Sequence, residues 1–91
     1  MQRPQQQDPA DQDALARALA LGLLDEAAPG DRLVVRARLG DGAQDALGTL
    51  AARTADSVTI ETRRGSVEVA LADVVAAKRV PPPPAPRPRR H

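Results

Sequence analysis

The chain contains no phenylalanine, tyrosine, tryptophan or cysteine, and its single histidine is the last residue, His91. Without aromatic side chains, any core must be built from leucine, valine, isoleucine and alanine, which bury less area per residue. Without cysteine, and with histidine only at the C-terminus, neither a disulfide nor a zinc site is expected. These absences predict a small domain that is stabilised by aliphatic packing, by a closed sheet or by association with another chain.

The sequence also contains no apolar run close to the roughly 20 residues of a membrane-spanning helix. Its N-terminus has no basic segment followed by an apolar stretch, which a secretory signal would need. We therefore expect no membrane partner and a cytoplasmic location, which the lack of cysteine also favours. A chain of 91 residues can form only one small domain, and such domains have modest stability.

Charge is unevenly distributed along the chain. Residues 1–77 hold eight arginines and all twelve acidic residues, a net charge of −4, whereas residues 78–91 hold five basic residues and no acidic one. The part expected to fold is therefore mildly acidic. This balance argues against a domain that binds polyanions in general.

Composition divides the chain into three segments. Residues 1–9 are polar and rich in glutamine, and we expect them to be disordered. Residues 10–80 are expected to form a helix followed by a small barrel. Residues 81–91 contain six prolines and are predicted to be a polyproline II spacer or tail. The alternative for the tail, a ligand for an SH3 or WW domain, lacks an arginine at the required flanking position.

One amphipathic helix is predicted over residues 10–24, with Pro9 at its first position. Leu15, Leu19 and Leu23 recur at a spacing of four residues, which indicates one apolar stripe. We expect this helix to cover an open end of the sheet. The alternative is a helix that docks a partner.

Residues 31–80 alternate between apolar and polar side chains in short segments separated by turns, which is typical of strands. Strands are predicted over 31–39, 45–53, 57–63, 66–71 and 76–80, with a short helical turn over 72–75. Gly48 inside the second strand predicts a bulge or a sharp bend, which a small barrel needs to close. The fold class is therefore mainly β, as a five-stranded SH3-like or Sm-like barrel with an N-terminal α-helix.

The order of these motifs resembles the N-terminal SH3-like domain of a set of actinobacterial GCN5-related N-acetyltransferases. The features in common are a basic first strand over 31–39, DALG at 45–48, TRRG at 62–65, and DVVAAK at 73–78 leading into four prolines at 81–84. In that family a proline-rich segment joins the small barrel to the catalytic domain. The acetyl-CoA loop of the family, Arg/Gln-x-x-Gly-x-Gly/Ala, does not occur in this sequence. The resemblance therefore implies a non-catalytic accessory module whose partner is an acetyltransferase-type domain or a second copy.

The candidate contact residues are arginines. Arg32, Arg36 and Arg38 are predicted to share one face of the first strand, close to further arginines if the neighbouring strands align. The plainer interpretation is a solvated face whose arginines pair with Glu61 and Glu68. The alternative is a contact surface for an acidic partner or for nucleic acid, although single-strand binding normally needs aromatic stacking. The full candidate set is Arg32, Arg36, Arg38, Arg53, Arg63 and Arg64.

No pattern in the sequence indicates catalysis. The carboxylate pairs Asp11/Asp13 and Asp25/Glu26 fall at helix ends, and Asp73 is expected to cap the short helical turn. No histidine lies within the domain to activate a serine. We therefore expect no enzyme activity, no cofactor and no metal. The leading hypothesis is a protein-interaction module, and the alternative is an Sm-like nucleic-acid binder.

Overall fold

A computed structural model describes residues 9–81, and every structural statement below refers to that part of the chain. The predicted disordered N-terminus and the proline-rich tail lie outside it, except for Pro9 and Pro81. The elements, in chain order, are α1 (Pro9–Glu26), β1 (Arg32–Leu39), β2 (Gly42–Arg53), β3 (Ser57–Thr62), β4 (Gly65–Ala70), a 3-10 turn (Leu71–Asp73) and β5 (Val74–Arg79).

The five strands form one antiparallel sheet with the order β4-β3-β2-β1-β5. The prediction of a mainly β fold with an N-terminal helix is confirmed. Within residues 9–81 no ladder joins β4 to β5, so these two strands are the edges of an open sheet. The sheet is not closed, and the barrel part of the prediction is not established.

Several element boundaries differ from the predicted ones, most of all those of β2, the helical turn and β5. β2 begins at Gly42 rather than at residue 45, because the β1–β2 ladder extends to the pair Leu39 and Gly42. The helical turn covers Leu71–Asp73 rather than 72–75, and β5 then begins at Val74 rather than at residue 76. Val74 is completely buried and pairs with Ala37, so burial draws it into the sheet.

Gly48 does not form the predicted bulge. It pairs in regular register with Leu33 on one side and with Thr62 on the other. The irregularity in β2 lies between Leu50 and Ala52. Gly48 is instead a point of close backbone approach, since a methyl group there would overlap the carbonyl group of Glu61. Only glycine, which lacks Cβ, fits this position.

A single aliphatic core joins the helix to the sheet. Its sheet part comes mainly from alternate positions of the strands, as expected for a sheet with one buried face. The buried residues are Ala20, Leu24, Ala27, Leu33, Val35, Ala46, Leu50, Val58, Ile60, Val69 and Val74. Within residues 9–81 no side chain of this core is larger than leucine, which agrees with the aliphatic core that the composition predicts.

The face by which α1 docks differs from the predicted stripe. Leu15 and Leu19 are 51% and 65% exposed, whereas Ala20, Leu24 and Ala27 are buried. Ala20 and Leu24 lie on one face of the helix near its C-terminal end, and Ala27 directly follows the helix. The apolar side chains that α1 buries against the sheet therefore come from its second half.

Neither α1 nor any other helix within residues 9–81 is long and apolar enough to cross a membrane.

Hydrogen bonds of Gly30 and Asp31 hold the loop between α1 and β1 in place. Gly30, at φ +96°, donates its N–H to the carbonyl of Leu50 at 2.8 Å. The Asp31 carboxylate accepts hydrogen bonds from the Ala28 N–H at 2.9 Å and from the Arg79 guanidinium at 3.0 Å. The Ala28 hydrogen bond, with Arg79 beside it, lowers the pKa of Asp31. The loop thus ties the helix to β2 and β5.

Candidate interaction surface

Three of the candidate arginines lie on the same face of β1, because alternate residues of a strand share a face. In the β1–β2 ladder Arg32 stands opposite Thr49, and Arg36 stands opposite Asp45. Arg38 stands at the outer end of the ladder, opposite Ala43. Of the three, Arg36 alone makes an ion pair within residues 9–81.

Arg36 is neutralised by its cross-strand neighbour. Its Nε donates to Oδ1 of Asp45 at 2.9 Å, and its Nη2 donates to Oδ2 at 3.4 Å. This contact lowers the pKa of Asp45 and raises the pKa of Arg36. The sequence interpretation paired the arginine face with Glu61 and Glu68, and that pairing is wrong.

The two glutamates bond to serine hydroxyls instead. Oε2 of Glu68 accepts a hydrogen bond from the Ser57 hydroxyl at 3.0 Å, and Oε2 of Glu61 accepts one from Ser66. Both serines lie on strands that neighbour the glutamate within the β3–β4 hairpin. Short-range hairpin partners are therefore preferred over arginines on β1.

Arg53 belongs to the helix rather than to a contact surface. Its Nη1 donates to the carbonyls of Leu24 at 2.6 Å and Ala27 at 2.8 Å. The last carbonyls of a helix have no partner within it and carry the negative end of the dipole, so a guanidinium caps them well. The end of β2 brings Arg53 to this point, in register with Val58. Of the further candidate arginines, Arg63 and Arg64, rather than Arg53, line the same groove as Arg32 and Arg38.

Arg63 and Arg64 form the two-residue turn between β3 and β4. The hydroxyl of Thr62 accepts a hydrogen bond from the Arg64 N–H at 3.1 Å and donates to the Gly65 carbonyl at 2.8 Å. Gly65 has φ +115°, a conformation that other residues adopt at a cost. The turn is thereby fixed, and both arginine side chains are exposed.

The four remaining candidate arginines line a groove of about 790 Å³. Its lining residues come mainly from the β1–β2 and β3–β4 hairpins, and buried Val35, Ala46 and Val69 are among them. The four arginines are Arg32, Arg38, Arg63 and Arg64. None of these four makes an ion pair with another residue of the described range 9–81.

The groove also exposes large apolar side chains. Leu39, Leu47 and Val67 line it and are 62%, 48% and 39% exposed. Alternation predicts Leu39 and Val67 on the buried face, and both lie near the outer end of a hairpin that no element of the described range 9–81 covers. Leu47 belongs to the other face of β2. Sequence reasoning did not single out any of the three, since alternation reports the face but not whether anything packs on it.

Acidic side chains balance the arginines around the groove. Asp45, Glu61, Glu68 and Asp73 line it together with the four basic residues. The sequence predicts that Asp73 caps the short turn. Asp73 is instead the last residue of that turn and does not cap its start. Within residues 9–81 no group of three His, Cys, Asp or Glu residues is placed to hold a metal ion. The groove is thus suited to contacts that combine charges of both signs with apolar side chains.

Comparison with protein-family models, with curated proteins and with solved structures finds no match for this chain.

Proposed function

We propose that this chain is a non-catalytic, SH3-like accessory module that binds another protein through the groove. The partner is an acetyltransferase-type domain supplied in trans or a second copy of the chain. The resemblance of residues 29–86 to the small domain that precedes such enzymes supports the first partner. The lack of the family's acetyl-CoA loop in this sequence supports a non-catalytic role.

The strand order supports the SH3-like description. Four successive strands form a meander, and β5 returns to pair with β1 at the far side. The close approach of β2 to β3 at Gly48 agrees with a sheet that curls strongly at this point. We interpret the sheet as a small barrel that is open between β4 and β5, with the groove on its open side.

One observation carries the proposal: the lining of the groove combines the exposed apolar residues Leu39, Leu47 and Val67 with four basic and four acidic residues. Exposed apolar residues that lie among charged ones are typical of protein-binding surfaces. Balanced charge selects a partner of mixed charge, whereas a polyanion would be repelled by half of these charged residues.

Calorimetric titration of the purified full chain with a purified GCN5-related catalytic domain tests the proposal. We expect saturable binding that is lost in the Leu39→Ser variant. The matched control is Leu19→Ser, since Leu19 is equally exposed but lies on α1 away from the groove. Equal loss in both variants, or binding of acetyl-CoA by the chain alone, would contradict the proposal.

A nucleic-acid-binding function is the second candidate. It is favoured by Arg32, Arg38, Arg63 and Arg64, which line one groove without an ion pair within residues 9–81. It is disfavoured by the four acidic residues beside them and by the lack of any aromatic side chain for base stacking.

Fluorescence anisotropy with a labelled single-stranded oligonucleotide decides between the two functions. A nucleic-acid binder would lose affinity steeply as salt rises, and the double variant Arg63→Glu/Arg64→Glu would lose most of it. Arg36→Glu is the control, because Arg36 is already paired with Asp45. No affinity at low salt would exclude this function.

A further inference from the structure

The two edges of the sheet differ in what covers them. At the β5 edge, α1 packs against the strand, and Nη1 of Arg17 donates to the carbonyls of Leu71 at 3.0 Å and Val74 at 2.6 Å. At the β4 edge no further strand is hydrogen-bonded within residues 9–81. All residues of β4 except Val69 are exposed. An uncovered edge strand is a template for pairing with another chain.

The register of the β3–β4 hairpin shows which backbone groups of β4 are unpaired. Leu71 donates its N–H to the carbonyl of Asp56, and hydrogen-bonded positions in an antiparallel ladder alternate. Residues 65, 67 and 69 therefore bond to β3. The N–H and C=O groups of Ser66, Glu68 and Ala70 point away from the sheet, towards solvent.

We propose that β4 pairs with β4 of a second copy, antiparallel and about a two-fold axis that passes through Val67. The inference names one partner for the proposed interaction module and rests on that proposal. It joins the two five-stranded sheets into one continuous sheet. Such a contact is self-complementary, as two-fold symmetry requires.

Symmetry and strand length leave two registers for a five-residue overlap of β4 (Gly65–Ala70). An axis at Glu68 would place Glu68 opposite its own copy, and like charges directly opposite each other are destabilising. An axis at Val67 instead places Ser66 opposite Glu68 of the other copy. The charge pattern therefore selects Val67 as the centre.

The selected register also produces favourable contacts. Val67, which is 39% exposed, meets its own copy in a non-hydrogen-bonded pair, where side chains come closest. The diagonal neighbours of Glu68 in the other copy are Arg64, which attracts it, and Glu68, which repels it from a greater distance than a directly opposite glutamate would. Val67 and Glu68 also line the groove, so the grooves of the two copies become neighbours.

Cysteine cross-linking tests the register directly, because the chain has no cysteine of its own. In the Val67→Cys variant the two thiols lie opposite each other in the dimer, at a Cα separation of about 4.5 Å that a disulfide spans. In the Glu68→Cys control each thiol faces Ser66, and the two Cα atoms are more than about 7 Å apart, too far to be bridged. We expect mild oxidation to cross-link the first variant and not the second.

Charge reversal gives an independent test, with dimerisation measured by sedimentation equilibrium of the unmodified and variant chains. Glu68→Arg should weaken the dimer by about five-fold, and Arg64→Glu combined with it should restore the affinity. Circular dichroism of each variant checks that the monomer is folded.

Three results would overturn the inference: a wild-type chain that stays monomeric at every concentration, cross-linking of Glu68→Cys in preference to Val67→Cys, or equal cross-linking of both. These outcomes are separable from failure of the proposed function. A monomer that still binds a catalytic domain through Leu39 would remove the dimer and keep the module. A Val67-centred dimer that binds no catalytic domain would leave self-association as the function of the module.

Discussion

The helix-covered half of this molecule and its groove half are built from the same side chains, leucine and arginine, in opposite roles. On the helix side, Leu24 is buried and Arg53 closes the end of α1. On the groove side, Leu39 is 62% exposed and Arg63 has no ion pair within residues 9–81. Residue type alone therefore does not distinguish a structural position from a binding position in this chain.

The difference follows from which edge of the sheet receives the helix. α1 buries apolar residues against one side, and its backbone carbonyls need donors that Arg53 supplies. On the other side, no element within residues 9–81 covers the ends of the two hairpins. Substitutions on the helix side should therefore affect folding, and matched substitutions on the groove side should affect only binding.

The largest effect is expected for leucine truncation. Leu24→Ala should lower the free energy of unfolding by about 2–5 kcal/mol, because it removes a buried side chain and leaves a cavity. Leu39→Ala should change it by less than about 0.5 kcal/mol, because Leu39 is exposed. Urea denaturation of both variants measures the contrast. Equal losses would show that the groove side is packed as tightly as the helix side.

The next largest effect is expected at Gly48, which lines the groove and pairs with the core residue Leu33. Gly48→Ala should cost about 1–3 kcal/mol, since its methyl group would overlap the Glu61 carbonyl. Gly22→Ala is the control, because nothing lies within 4 Å of an added methyl group on this helical residue. The control should stabilise the chain by about 0.5–1 kcal/mol. Thermal unfolding of the two variants should therefore shift in opposite directions.

A smaller effect is expected for the arginines. Arg53→Ala should lose about 1–2 kcal/mol, because it leaves two helix-end carbonyls without their charged donor. Arg63→Ala should be close to neutral in the same denaturation experiment. If Arg63→Ala were as destabilising as Arg53→Ala, the division of arginines into structural and binding sets would be wrong.

Much of the fold is readable from the sequence. The alternation in 31–39 and 57–63 predicts β1 and β3 to within one residue, because each strand has one buried face. The docking face of α1 is not readable in this way. Leucines at 15, 19 and 23 suggest one stripe, yet the buried positions are Ala20 and Leu24, because the docking face depends on how the helix lies against β5.

The candidate site is readable only in part. The sequence supplies the arginines, and four of the six do line one groove. It does not indicate that Asp45 pairs with Arg36 across the ladder, or that Arg53 reaches back to α1. Both contacts depend on strand register, which a single sequence does not state. Leu39, Leu47 and Val67 were missed for the related reason that their exposure depends on where other elements end.

Local patterns were sufficient for the element types, the aliphatic core and the lack of cysteine chemistry, because each depends on residue identity or on short-range periodicity. The open sheet, the capping role of Arg53, the groove and the uncovered β4 edge depend on contacts between residues far apart in the chain. These contacts form only when the helix packs against the β5 edge of the sheet and not against the β4 edge. That single packing choice separates the structural leucines and arginines from those available to a partner.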